Sequence, residues 1–296
     1  MSVLVLILCV LCYFVANIYQ NKFSATLGGR IYPMNCFQIL WMALAIVAFV
    51  VFELCTDGLQ FSNLTCIYGS VAGAFSLLGS MCFIGALSCG PLSLSLLIFS
   101  MYVMVPPILA MIFLGEKATV CQTIGIILII LVLILSNYNK DETGKKYSRK
   151  WWLLGIGSVI GVGVSNYIAK VHQTIMPGQE VREYSIVSYV VGIVLAFFLL
   201  LFFRRKDLAR NPVPYKFTVA GFLVPAVVVA ITQGGANLCN LYNASRLPTI
   251  ILYPVPQLAT LMLSTLYGAV ILKEKLSRMM VVCLVMGAIA IVLMNF

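Results

Sequence analysis

The sequence predicts an all-α polytopic membrane protein, with ten transmembrane helices arranged as two inverted five-helix repeats. Three observations predict it. The 296-residue chain is 62% hydrophobic and only 9% charged, against about 25% charged in a typical soluble domain. Ten apolar stretches each approach the roughly 20 residues that a helix needs to cross a hydrocarbon core about 30 Å thick. A basic stretch in mid-chain then divides the ten into two blocks of five that echo each other.

The ten stretches lie at about 3–20, 34–53, 67–87, 92–113, 119–137, 151–170, 185–203, 217–242, 248–272 and 279–296, by their apolar length. Little chain remains outside them for a soluble domain. The first lacks the positive n-region and small-residue cleavage site of a signal peptide, so it reads as a retained helix.

Charge confirms the segmentation and sets an orientation. Connections after segments 1, 5, 7 and 9 carry Lys22 and Arg30; Lys140, Lys145, Lys146, Arg149 and Lys150; Arg204, Arg205, Lys206, Arg210 and Lys216; and Lys273, Lys275 and Arg278. The opposite side carries only Lys117, Lys170, Arg182 and Arg246. Basic residues in short loops favour the cytoplasmic face, so both termini are expected outside, with a bacterial plasma (inner) membrane the expected location. The net charge of +10 is thereby explained without a nucleic-acid partner. A solvated, orientation-setting face is the simplest reading of the basic loops.

Residues 1–137 form the first repeat, 138–150 a basic linker and 151–296 the second repeat. "VANIYQNK" in segment 1 aligns with "VSNYIAK" in segment 6, matching Asn17 with Asn166. "FLGEKAT" before segment 5 aligns with "ILKEKLS" before segment 10, matching Glu116-Lys117 with Glu274-Lys275. Pro91 with Pro248 and Ser88 with Ser245 are weaker echoes. Five is odd, so a second copy enters the membrane from the opposite side, as in an inverted-topology repeat.

Polar side chains recur at helical spacing inside the apolar stretches. Gln233, Asn237 and Asn240 fall at i, i+4 and i+7 in segment 8, on one face. Tyr13, Asn17 and Gln20 repeat the pattern in segment 1, and Tyr253, Gln257, Thr260 and Ser264 in segment 9. Segment 4 offers Ser95 and Tyr102, segment 3 Ser76 and Ser80, and segment 6 Asn166 beside Tyr167. An amide placed in alkane without a partner costs about 4–8 kcal/mol, so these stripes face protein or water. For any one residue, tying helices together and contacting a solute are both open readings. Jointly, the amides outnumber what pairwise tying needs, which favours a cavity.

Pro106-Pro107 and Pro254 with Pro256 are expected to kink segments 4 and 9, because each proline removes a backbone donor. Gly234 and Gly235 are expected to permit close helix packing. None of the nine Asp and Glu lies in the middle of a crossing, which removes the usual intramembrane proton carrier or counter-ion for a cationic substrate. Amides and tyrosine rings instead suit a neutral or zwitterionic solute. Lys170 either snorkels to the interface or attracts a carboxylate. Glu116 and Glu274 read as turn and helix-start residues.

No catalytic cluster is legible, so an enzyme is not expected. His172 is the single histidine, no metal site is expected, and Cys9-x-x-Cys12 lies within an apolar helix where small buried side chains are the simpler reading. Cys55 and Cys66 bracket an external loop; they either pair as a disulfide or lie buried as apolar thiols.

The five-plus-five arrangement, "GEKAT" with Gly125 nine residues after Glu116, and the closing "KEKLSRMMVVCLVMGAIAIVLMNF" resemble EamA-like members of the drug/metabolite transporter superfamily. Cys283 stands where the first copy has Gly125. The resemblance implies transport of small metabolites through a central cavity, without metal or organic cofactor. The expected activity is secondary transport of an amino acid or related solute; a nucleoside, sugar or lipid-headgroup carrier and a non-transport scaffold are the alternatives. The expected partners are that solute and the bilayer, as monomer or homodimer. Candidate solute contacts are Tyr13, Asn17, Gln20, Ser80, Tyr102, Asn166, Tyr167, Gln233, Asn237, Asn240, Tyr253 and Gln257.

Overall fold

The computed structural model describes residues 2–27, 31–55, 58–89, 92–136, 148–210, 218–271, 273 and 278–294. Helices account for the architecture, with no strand among the described residues: α1 (Ser2–Leu27), α2 (Ile31–Leu54), α3 (Asn63–Cys89), α4 (Leu92–Ser100), α5 (Val105–Phe113), α6 (Val120–Ser136), α7 (Arg149–Ile175), α8 (Val181–Arg210), α9 (Val224–Ala244), α10 (Thr249–Leu252), α11 (Pro254–Val270) and α12 (Arg278–Leu293). A helix satisfies its backbone within its own segment, which is what hydrocarbon demands. Among the described residues, seven spans are long and apolar enough to cross a membrane, and three shorter apolar helices cover Leu97–Phe113, Val120–Leu135 and Val281–Leu293.

The outward faces are as apolar as the core. Leu4, Ile112, Phe113, Leu153, Phe198 and Ile231 are all exposed, and contiguous apolar exposure on this scale belongs to a lipid-facing surface. The chain is a polytopic helical membrane protein.

Prolines do more than bend segments 4 and 9. Pro106 and Pro107 cannot donate to the carbonyls one turn back, so α4 ends and a 3₁₀ turn at Met101–Met104 precedes α5, with the Val105 N–H bonding the Tyr102 carbonyl. Pro254 and Pro256 likewise separate the short α10 from α11 at Tyr253. Segment 8, by contrast, is continuous through Gly234 and Gly235. A methyl at Gly234 would come 3.1 Å from the Phe49 ring, so close packing is the role of that glycine.

Helices of the two halves pack against one another: α3 along α7, α1 along α9, α2 along α8 and α6 along α12, with α11 on α1 and α4–α5 on α7. Gly161 makes the α3–α7 contact possible, since a Cβ there would sit 2.6 Å from the Gly79 Cα. At the α6–α12 seam, Gly125 faces Met294 and Ala290, and Cys283 faces the Val132 carbonyl.

Several expectations need correction. Lys170 does not snorkel: it is 7% exposed, pairs with Glu116 at 3.3 Å and donates to the Ala244 and Leu247 carbonyls at 2.8 Å each. Glu116 is more than a turn residue, because it also accepts from the Thr249 backbone and hydroxyl. Cys55 and Cys66 are exposed free thiols, neither bonded to each other nor buried. Glu274, Lys275, Pro91 and residues 138–147 of the linker lie outside the described residues.

A central polar cavity

A cavity of about 440 Å³ opens between the two halves. Eleven of the twelve candidate residues line it: Tyr13, Asn17, Gln20, Ser80, Tyr102, Asn166, Gln233, Asn237, Asn240, Tyr253 and Gln257. Tyr167 does not. One step of about 100° from Asn166 along α7 turns it away, and its ring lies 6.3 Å from Phe113. Ser95 is also diverted, accepting from the Trp151 indole at 2.9 Å. Thr260 and Ser264 are outside the lining; the Ser264 hydroxyl donates to the Thr260 carbonyl on its own helix.

Helix breaks position two of the lining tyrosines. Tyr102 sits in the 3₁₀ turn of segment 4 and donates to Gln257 Oε1 at 3.1 Å. Tyr253 sits in the break of segment 9 and donates to the Asn166 carbonyl at 2.5 Å. Each phenol therefore ties an interrupted segment to a helix from elsewhere in the bundle.

Besides Gln257, which accepts from Tyr102, and Asn166, the lining amides divide into two groups. One is a closed relay across α1, α9 and α8: Cys9 Sγ donates to Asn240 Oδ1 (3.3 Å), Asn240 Nδ2 to the Tyr13 hydroxyl (2.6 Å), that hydroxyl to Asn237 Oδ1 (3.0 Å), and Asn237 Nδ2 to the Tyr189 hydroxyl (2.6 Å). The other comprises Asn17, Gln20, Gln38 and Gln233, which line the cavity with no side-chain partner among the described residues. The first group holds helices; the second has hydrogen-bonding capacity to spare.

Sequence reasoning missed the α2 and α8 walls. Gln38 and Trp41 come from α2, and Tyr184, Ser185, Ser188 and Tyr189 from α8. The α8 signal was present, since 184, 185, 188 and 189 fall on one helical face. At that end, the Tyr184 ring packs 4.7 Å from His172, and His172 Nε2 is 2.8 Å from the Thr65 hydroxyl.

Among the described residues, no Asp, Glu, Lys, Arg or His lines the cavity. Charged groups gather in a separate hollow of about 500 Å³ lined by Glu53, Glu180, Arg182 and Glu183. There Arg182 pairs with Glu53, and Glu180 accepts from the Ser62 backbone at 3.0 Å and hydroxyl at 2.8 Å. No group of three or more His, Cys, Asp or Glu that could hold a metal occurs among the described residues.

Comparison with known proteins bears on the fold alone. No family model matches the chain, and no curated protein matches it. Among solved structures, 28 chains match. One, described simply as a protein, has a TM-score of 0.77 at 12% identity, covering 99% of this chain and 95% of that one. Identity this low speaks for a shared fold alone.

Proposed function

We propose that this protein is a secondary transporter that moves a small polar metabolite, neutral or zwitterionic, across the plasma membrane by alternating access. The observation that carries the proposal is the cavity itself: unpartnered amides line an uncharged space within the apolar thickness, contributed by both halves of the chain. Side chains that only tied helices together would pair with one another, whereas Asn17, Gln20, Gln38 and Gln233 are half-buried in the cavity wall with hydrogen-bonding groups available to a solute.

The helix pairings support the inverted five-plus-five architecture. When segments 1–5 are exchanged with 6–10, the α1–α9 contact exchanges with α3–α7, and α1–α11 with the packing of α4 and α5 on α7. The α2–α8 and α6–α12 contacts map onto themselves. Such symmetry, with interrupted helices near the site, is the architecture of alternating-access carriers. The similarity to EamA-like transporters and the outside placement of both termini belong to the same proposal.

A scaffold is the second reading, and the closed Tyr13–Asn237–Asn240 relay is the observation that favours it. Purified protein in liposomes, assayed by counterflow against a labelled metabolite panel, separates the two. A carrier exchanges at least one solute, and Gln233→Leu or Asn17→Leu abolishes exchange while melting temperature holds. The lipid-facing Ile231→Leu changes neither. If the panel finds a solute but Gln233→Leu and Asn17→Leu exchange it at the full rate, this cavity is not the path.

A further inference from the structure

The structure assigns the cavity to an uncharged solute that bears hydrogen-bonding groups beside a flat face, a nucleoside or a sugar, and against amino acids and carboxylates. This rests on the carrier reading above and narrows its substrate.

A zwitterion brings an ammonium and a carboxylate, and neither has a counter-charge in the lining. Lys170, beside the lining residue Ala169, is spent: its ammonium is bound to Glu116, Ala244 O and Leu247 O. Arg182 is likewise committed to Glu53, in the separate hollow. Moving an ion from water to such a site costs several kcal/mol unless it is paired.

Carriers with broken helices can hold a carboxylate without a cation, on the free N–H groups of a half-helix start. Both such starts are stripped here. In α5 the Val105 N–H is already bonded to the Tyr102 carbonyl, and Pro106 and Pro107 have no N–H. In α11, Pro254 and Pro256 have none, and the Gln257 N–H bonds the Tyr253 carbonyl at 3.4 Å. Only Val255 is left as a donor among the first four positions. The prolines that break the helices also remove the anion site that a break would otherwise create.

What remains is matched to a neutral solute. Each free amide, Asn17, Gln20, Gln38 and Gln233, offers both a donor and an acceptor, which suits hydroxyls and ring amides equally. Phe83 and Phe99, stacked on each other at 4.1 Å, and Trp41 add apolar ring surface to the same lining, against which a heterocycle or the apolar face of a sugar ring packs.

Counterflow in proteoliposomes, with thermal shift of the purified protein, tests the assignment using uridine, glucose, glutamine and glutarate. Uridine or glucose is expected to exchange, and to stabilise the protein at concentrations at least about tenfold lower than glutamine or glutarate, a difference of about 1.4 kcal/mol. The uridine and glucose arms separate heterocycle from sugar. Exchange of glutamine or glutarate at rates matching the uncharged solutes overturns the assignment while leaving a carrier. Absence of exchange and of thermal shift across all four classes overturns the carrier reading, and the assignment with it.

Discussion

Lys170 of α7 and Glu116 of the connection between α5 and α6 form an ion pair at 3.3 Å, with the lysine buried and the carboxylate half-buried. The pair joins three elements, because Lys170 also caps the carbonyl end of α9 and Glu116 holds the first N–H of α10. Removing one member leaves the other desolvated, which typically costs about 3–5 kcal/mol, whereas replacing both by apolar residues of similar volume is often close to neutral. Glu116→Leu is therefore expected to lower the melting temperature in detergent sharply, and Glu116→Leu with Lys170→Met to recover most of the loss. A double variant as unstable as the single would mean that the backbone bonds, not the ion pair, dominate.

The relay through Tyr13 changes what substitutions of Asn237 and Asn240 should do. On sequence alone, as solute contacts, they would be expected to lose transport without losing stability. Their hydrogen bonds to Tyr13 and Tyr189 now predict that Asn237→Leu and Asn240→Leu each lower stability, with an unpaired partner costing about 1–3 kcal/mol. Tyr13→Phe should do the same. Because the three share one network, Tyr13→Phe combined with Asn237→Leu should cost clearly less than the sum of the two. Additive losses in thermal melts would contradict a connected relay.

Glu180 gives a pH dependence whose sign follows from its contacts. Burial pushes its carboxyl up, but hydrogen bonds from Thr65 and from the Ser62 backbone and hydroxyl, with the His172 ring nearby, more than reverse this, leaving it below its ordinary value. A group with a depressed folded-state value stabilises the fold above its unfolded value and loses that contribution as pH falls through the lowered one. The end of the bundle holding α3 to the connection between α7 and α8 should thus loosen on acidification below the ordinary carboxylate range, about pH 4. Glu180→Gln should flatten that acid limb in melting curves, and an unchanged limb would refute the assignment to Glu180.

The glycines give a steric prediction. A methyl at Gly161 meets backbone, the Gly79 Cα at 2.6 Å and N at 2.8 Å, so two helices must move apart. Gly161→Ala should cost about 1–3 kcal/mol. Gly235→Ala meets only the Cys12 sulfur at 3.9 Å and should be tolerated. Equal melting temperatures for the two variants would show that α3 and α7 are not packed this tightly.

The sequence by itself determined that this chain lives in a membrane, where the apolar stretches lie, where they break and which of their faces are polar. Those properties are local: a run of apolar residues has no aqueous alternative, a proline deletes its own N–H wherever it stands, and a spacing of i, i+4 and i+7 shares a face in any α-helix. Tertiary structure alone decided which polar residues meet. It turned Tyr167 toward Phe113 while its neighbour Asn166 faces the cavity, sent Ser95 to Trp151, and spent Asn237 and Asn240 on tyrosines while leaving Asn17, Gln20 and Gln233 free. It also buried Lys170 against Glu116, more than fifty residues away in the chain. Periodicity assigns a side chain to a face of its own helix, but the partner across that face comes from how distant helices pack.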